Sequence, residues 1–304
     1  MNAKKIIFLA AALAAAAILL RTALTRRAPS GAADGRIKVT ATLFPLYDMA
    51  RAVGGDRAEV SLLLPPGMEP HSFEPKAGDI LRIDRADIFV YTGAYMEPWA
   101  EDLIKGVSNK NLVAVNAGLG ARMEGGGGAV DPHIWLDPDN AVLMTDNIAA
   151  AFGVKDPAGA AQYRGAAEAY KKRLKALDAA YKAGLADCEA RNIVYGGHYA
   201  LGYLARRYGL NYVAAQGLAP DSEPTARGMA ALVELVKRDR LKYIFYEELA
   251  SPRIAETVRR ETGAGMLPLS AAHNLSKEQL ARGVSFFDIL EDDLDNLKKG
   301  LGCR

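Results

Sequence analysis

Cysteine is scarce in this sequence: 304 residues contain two, Cys188 and Cys303. Neither has the close spacing from which cysteine-built metal sites are made, which excludes thiolate metal chemistry. None follows the N-terminal apolar run, so a lipid-modified N-terminus is not expected. Long apolar runs are missing too, apart from Ile6 to Leu20, which is short of the roughly 20 residues that cross a bilayer. There is no excess of one charge. Lys and Arg total 38 and Asp and Glu 36; residues 1–35 hold five of the first and one of the second, leaving 33 (38−5) against 35 (36−1), a formal −2. That balance offers no basic surface to nucleic acid. No His-Glu-x-x-His and no nucleophile elbow occur, and the glycine tract Gly125–Gly128 has no Lys-Ser/Thr after it. Zinc-protease, esterase-like and phosphate-cradling readings therefore lack their motifs.

The N-terminus reads as an export segment. Lys4 and Lys5 precede the apolar run, and Arg21, Arg26, Arg27 and a Pro/Ser/Gly/Ala-rich stretch to Gly35 follow it. No small-x-small cleavage site stands before the arginines, so an uncleaved N-terminal anchor is the alternative. The rest is ordinary in composition for a soluble chain and long enough for a substantial core in two lobes.

Apolar patterning predicts strands at 36–43, 58–64, 88–91, 112–115, 192–195, 211–214, 243–246 and 265–269. Helices are expected between them, at 47–53, 77–86, 99–104, 141–152, 199–208, 225–238, 253–262 and 283–301. Strands alternating with helices at this spacing mean βα units and parallel sheets. Phe44-Pro45-Leu46 is expected to end the first strand, and Gly125–Gly128 to form a surface loop or flap. One helix is exceptional: 158–187 is rich in strong helix formers, with Tyr163, Ala167, Tyr170, Leu174, Leu177 and Tyr181 at helical spacing. A helix that long at mid-chain is expected to join two lobes as a strut. Export permits a Cys188–Cys303 disulfide that would tie down the C-terminus; two free thiols are the alternative.

The chain has four histidines, and their settings are not those of scattered surface residues. His133 lies in Asp131-Pro132-His133-Ile134-Trp135-Leu136-Asp137-Pro138, with carboxylates and prolines on both sides. His71 lies in a second such loop, Gly67-Met68-Glu69-Pro70-His71-Ser72-Phe73-Glu74-Pro75. His198 follows a strand and Gly196-Gly197, which let backbone approach closely. His273 follows the last strand in Ser270-Ala271-Ala272-His273-Asn274. Each stands at or near a strand end, where α/β folds collect ligand sites. Imidazole is the commonest ligand for a borderline metal, and Glu69, Glu74, Asp131 or Asp137 could take the other ring N–H and set the tautomer. Glu247 is a possible outer partner of the same kind, Glu248 an outer or rim charge, and Trp99 and Trp135 are expected in the core.

The two proline-bracketed loops resemble the hallmark loops of the periplasmic zinc- and manganese-binding receptors of ABC importers. His198-Tyr199-Ala200-Leu201-Gly202-Tyr203-Leu204 with Arg207-Tyr208-Gly209-Leu210 resembles that family's third motif, and Phe245-Tyr246-Glu247-Glu248 and Glu261-Thr262-Gly263-Ala264 also fit. The similarity runs from about residue 37 to 301, with the motifs in order.

The resemblance implies two parallel-sheet α/β lobes (36–153 and 189–304) joined by one long linker helix (154–188), with the metal in the cleft. It maps the first ligands to His71 and His133. The third position is His in zinc-type and Glu in manganese-type members; here it is His198. The fourth position varies and is often Asp; here its loop carries His273. Nitrogen ligands suit zinc better than manganese, although copper and nickel would also bind. Two departures stand out: the tract before His133 holds no histidine, and the lipid-attachment cysteine of many relatives is missing. The expected function is an extracytoplasmic, monomeric receptor, not an enzyme, that captures Zn2+ and passes it to a membrane ABC permease without contacting nucleic acid. A manganese receptor of the same family is the alternative, and a secreted zinc hydrolase the rival from another class.

Overall fold

In the first βα unit, Ile37–Ala41 forms strand β1 and Phe44–Gly54 helix α1. The strand is over before Phe44-Pro45-Leu46, as expected, and these residues open the helix three positions ahead of its expected start at Tyr47: proline in the first turn lacks an N–H that would have had no partner there. The chain continues through β2 (Ala58–Leu62), α2 (Ala77–Asp84), β3 (Ile88–Tyr91), α3 (Ala100–Gly106) and β4 (Val113–Asn116). A hairpin, β5 (Glu124–Gly126) with β6 (Ala129–Asp131), takes in part of the glycine tract expected to be only a loop. Then come α4 (Pro138–Lys155) and α5 (Ala160–Gly184). The second series is β7 (Asn192–Tyr195), α6 (Gly202–Arg207), β8 (Asn211–Ala214), α7 (Ala226–Arg238), β9 (Tyr243–Glu247), α8 (Arg253–Thr262) and β10 (Gly265–Leu269). It ends with α9 (Lys277–Ala281), which the sequence reading missed, and α10 (Phe286–Leu301). This computed structural model describes residues 35–126, 129–218 and 224–304. The export segment therefore falls outside the described residues, apart from Gly35.

Two four-stranded sheets carry the architecture, in the orders β2-β1-β3-β4 and β10-β9-β7-β8. Every neighbouring pair in both is parallel. Counted from its own first strand, each sheet has the order 2-1-3-4, so the topology repeats where no sequence repeat is visible. In such sheets the order reverses between the first and third strands, and the loops leaving those strand ends open a crevice. In the second sheet those are β7 and β9, which lead to His198 and end at Glu247.

Helix α5 joins the halves. Its 25 residues are about 37 Å long at 1.5 Å per residue. The six residues of its expected apolar stripe are its buried ones. Tyr163 packs on Phe152 and bonds Asp156, both ahead of the helix. Midway, Tyr170 donates to Asp48 at 2.8 Å and meets Phe287 edge-on. At the far end Tyr181 donates to the Leu290 carbonyl at 2.6 Å and stacks on Tyr208. One side of the helix thus runs from contacts with the first half to contacts with the second. Cys188 and Cys303 form a disulfide that fastens the end of α10 to the exit of α5. Among the described residues no helix is long and apolar enough to cross a membrane.

Candidate metal centre

Three loops and a hairpin bring the histidines together. His71 hangs on the stretch between β2 and α2, His133 follows β6, His198 follows β7, and His273 follows β10. His133 and His198 are 0% exposed and His273 5%, whereas His71 is only half-buried. The Nε2 atoms of His71 and His133 are 3.2 Å apart, and those of His133 and His198 3.3 Å. Two nitrogens each 2.0–2.1 Å from one tetrahedral zinc ion lie about 3.3–3.4 Å apart. His133 Nε2 therefore stands at tetrahedral-edge distance from both of the others, and the ligand atoms of the three residues all lie within 4.8 Å of one another. The His273 ring centroid lies 5.8 Å from that of His198 and 6.5 Å from that of His133. Its Nδ1 is buried and has no hydrogen-bond partner, an orphan of the kind a metal ligand would be.

Carboxylates set the tautomers. Asp131 Oδ1 lies 2.7 Å from His133 Nδ1 and also accepts the His133 backbone N–H at 3.0 Å. Glu247 Oε2 lies 2.9 Å from His198 Nδ1. A proton held on each Nδ1 leaves the Nε2 lone pairs free to face one another's centre. Two glycines make room for these acceptors: a Cβ on Gly202 would stand 2.7 Å from Asp131 Oδ2, and one on Gly197 2.6 Å from Glu247 Oε2. Of the other carboxylates named from sequence, Asp137 caps α4 and meets Arg207. Glu69 accepts the His71 backbone N–H at 3.0 Å. Trp135 is buried as expected, but its Nε1 also donates to the Ala271 carbonyl at 2.8 Å, which ties the His133 motif to the His273 loop.

The electrostatics favour neutral imidazole. Burial, then the neighbouring imidazoles His133 and His198, hold His71 down to about 3. Burial likewise holds His273 down to about 3 and His133 well below its ordinary value. Only His198 goes up: burial opposes the charge, but the Glu247 carboxylate outweighs it. Burial raises the Asp131 carboxyl to about 6 against the His133 N–H bond that lowers it. Neutral ring nitrogens can take a cation without first losing a proton.

Two parallel βα sheets joined by one helix, with four histidine loops converging at strand ends, define a two-lobed solute-binding fold with a metal-type site. The family described as zinc-uptake complex component A, periplasmic (ZnuA), matches residues 39–300, and the chain belongs to it. The high-affinity zinc uptake system protein ZnuA of Bacillus subtilis is 35% identical over 305 residues, covering 94% of this chain and 95% of its own. Zinc-binding protein AdcA of Streptococcus pyogenes is 34% identical over 290 residues, covering 88% of this chain and 56% of AdcA. The chain thus spans little more than half the length of that relative. The Zn(II)-bound ZnuA-like domain of Streptococcus pneumoniae AdcA superposes with a TM-score of 0.77 at 34% identity, over 88% of this chain and 99% of that domain.

Proposed function

We propose that this chain is an extracytoplasmic receptor that captures Zn2+ and delivers it to an ABC-type importer in the membrane. The observation that carries the reading is His133 Nε2 standing at tetrahedral-edge distance from the Nε2 atoms of both His71 and His198, with Asp131 and Glu247 on the far side of two of the rings. His71, His133 and His198 are the ligands, and His273, with its orphaned buried Nδ1, is the fourth. The halves 36–153 and 189–304, with 154–188 between them, are the two lobes that contribute two ligands each.

Function here is coordination, with no bond made or broken in a substrate. A hydrolase would need an open coordination position and a base beside the bound water. The carboxylates placed to serve, Glu69 and Glu247, are bonded to His71 and His198. Four nitrogen donors favour zinc over manganese, which prefers oxygen. The disulfide fits an oxidising compartment, and the names of the relatives support export and zinc uptake. The receptor acts as a monomer in this reading.

The test is a zinc titration against a competing chelator, repeated with manganese and with the His273→Ala variant. One-to-one zinc binding that manganese does not displace, weakened at least about tenfold by the substitution, is the expected result. Zinc affinity unchanged in His273→Ala would leave three histidines and an open position, and no tight binding by the wild type would end the receptor reading.

A further inference from the structure

Asn274 stands next to His273 and is 1% exposed, yet its side chain serves the opposite half of the molecule. Its Nδ2 donates to the Pro65 carbonyl at 2.9 Å and to the Met68 carbonyl at 2.7 Å. Those two residues bracket the turn that leads to His71. Its Oδ1 accepts the Leu275 N–H at 2.8 Å. Beside these bonds, the Gly67 N–H donates to the Leu275 carbonyl at 3.0 Å, from a left-handed φ of +79°. Both amide N–H groups are therefore spent on a loop more than 200 residues away in sequence.

The loop needs such an anchor. From Leu63 to Lys76 it has neither helix nor strand, and His71 is the one histidine of the four that is only half-buried. The anchoring side is itself rigid. Ala272 is fully buried at φ +52°, a conformation that costs an alanine free energy and persists only where its surroundings over-determine it. The Ala272 N–H donates to Ser270 Oγ at 3.1 Å, the Phe44 N–H to the His273 carbonyl at 3.2 Å, and Trp135 Nε1 to the Ala271 carbonyl at 2.8 Å. A fixed strap thus carries one ligand, His273, and through Asn274 it grips the loop of another.

We propose that Asn274 is a positioning residue of the metal site: it acts through His71, holding that imidazole where its Nε2 completes the coordination sphere. The inference rests on the receptor reading above and adds to it a residue that touches no ion.

A double-mutant cycle separates this role from plain structural support. Zinc affinity is measured by chelator competition for the wild type, Asn274→Ala, His71→Ala and the double variant. Thermal unfolding of each metal-free protein and the visible spectrum of each Co2+ complex are recorded alongside. Asn274→Ala is expected to weaken zinc binding about tenfold or more, but to change it by less than about twofold once His71 is gone. Its Co2+ spectrum should shift toward that of His71→Ala. Equal weakening in both backgrounds, or a lower unfolding temperature with unchanged affinity, would overturn the proposal. If Asn274→Ala does not fold, Asn274→Leu, which nearly keeps the volume and removes both donors, goes through the same cycle with the same criteria. A wild type that binds no zinc would sink the receptor reading itself, which a failed cycle would leave standing.

Discussion

At the scale of single residues, the centre depends on two oxygen atoms as much as on its nitrogens. Asp131 Oδ1 holds both the ring and the backbone N–H of His133. Asp131→Asn keeps an oxygen there but removes the charge that makes the ring a better donor to a cation. We expect zinc affinity to fall about 10- to 100-fold, the usual cost of losing an outer partner of a ligating histidine, with unfolding of the metal-free protein little changed. An affinity unchanged in chelator competition would mean that the Asp131–His133 pair does not tune the site. The sequence placed His133 beside two candidate acceptors, Asp131 and Asp137, and the two differ in use. Asp137 turns away because its side chain accepts the Asp139 and Asn140 N–H groups at the start of α4.

At the scale of elements, Arg207 in α6 joins three segments. Its guanidinium bonds Asp178 on α5 at 2.7 and 2.9 Å, and reaches Asp137 and Asp139 at the start of α4. The Arg207 bonds, with Lys182 and Tyr208 adding theirs, hold Asp178 far below its ordinary value of 3.8. A depressed folded pKa means that the pair stabilises the fold fully above the ordinary carboxylate range. That contribution is lost as pH falls from about 4 toward the lower folded value. Unfolding temperatures of the wild type and Asp178→Asn, followed from pH 7 to pH 3, should differ most at neutral pH, with the gap beginning to narrow below about pH 4. Parallel curves would show that the network does not link the helices energetically. The stripe on α5 was legible in sequence because helical period and apolarity are both local. The α6 cluster was not, because its partners come from positions 29 to 70 residues apart.

At the scale of the whole molecule, the disulfide closes a span of 115 residues. Replacing both cysteines by serine should cost about 2–5 kcal/mol of stability, because the unfolded chain regains the freedom that the bridge removes. The bridge fastens α10 to the exit of α5, while the histidine loops hang from other elements. Zinc affinity in the Cys188→Ser/Cys303→Ser protein is therefore expected to stay within about twofold of the wild type. A large loss of affinity with little loss of stability would mean that the fastened terminus shapes the centre.

By itself the sequence determined the βα alternation, the long mid-chain helix, the four histidine loops and the likeness to metal receptors. All of these are written in short-range periodicity and in motifs a few residues long. The tertiary structure decided that Glu247 serves His198 across 49 residues and that Trp135 does more than fill the core. It also decided that Asn274 grips the loop of His71, that α9 forms, and that the glycine tract enters a hairpin. The repeated 2-1-3-4 topology belongs on this side too. The physical reason is one of range: propensity and period act over a turn or a strand, whereas hydrogen-bond partners at strand ends are chosen only when separate loops are packed into one crevice.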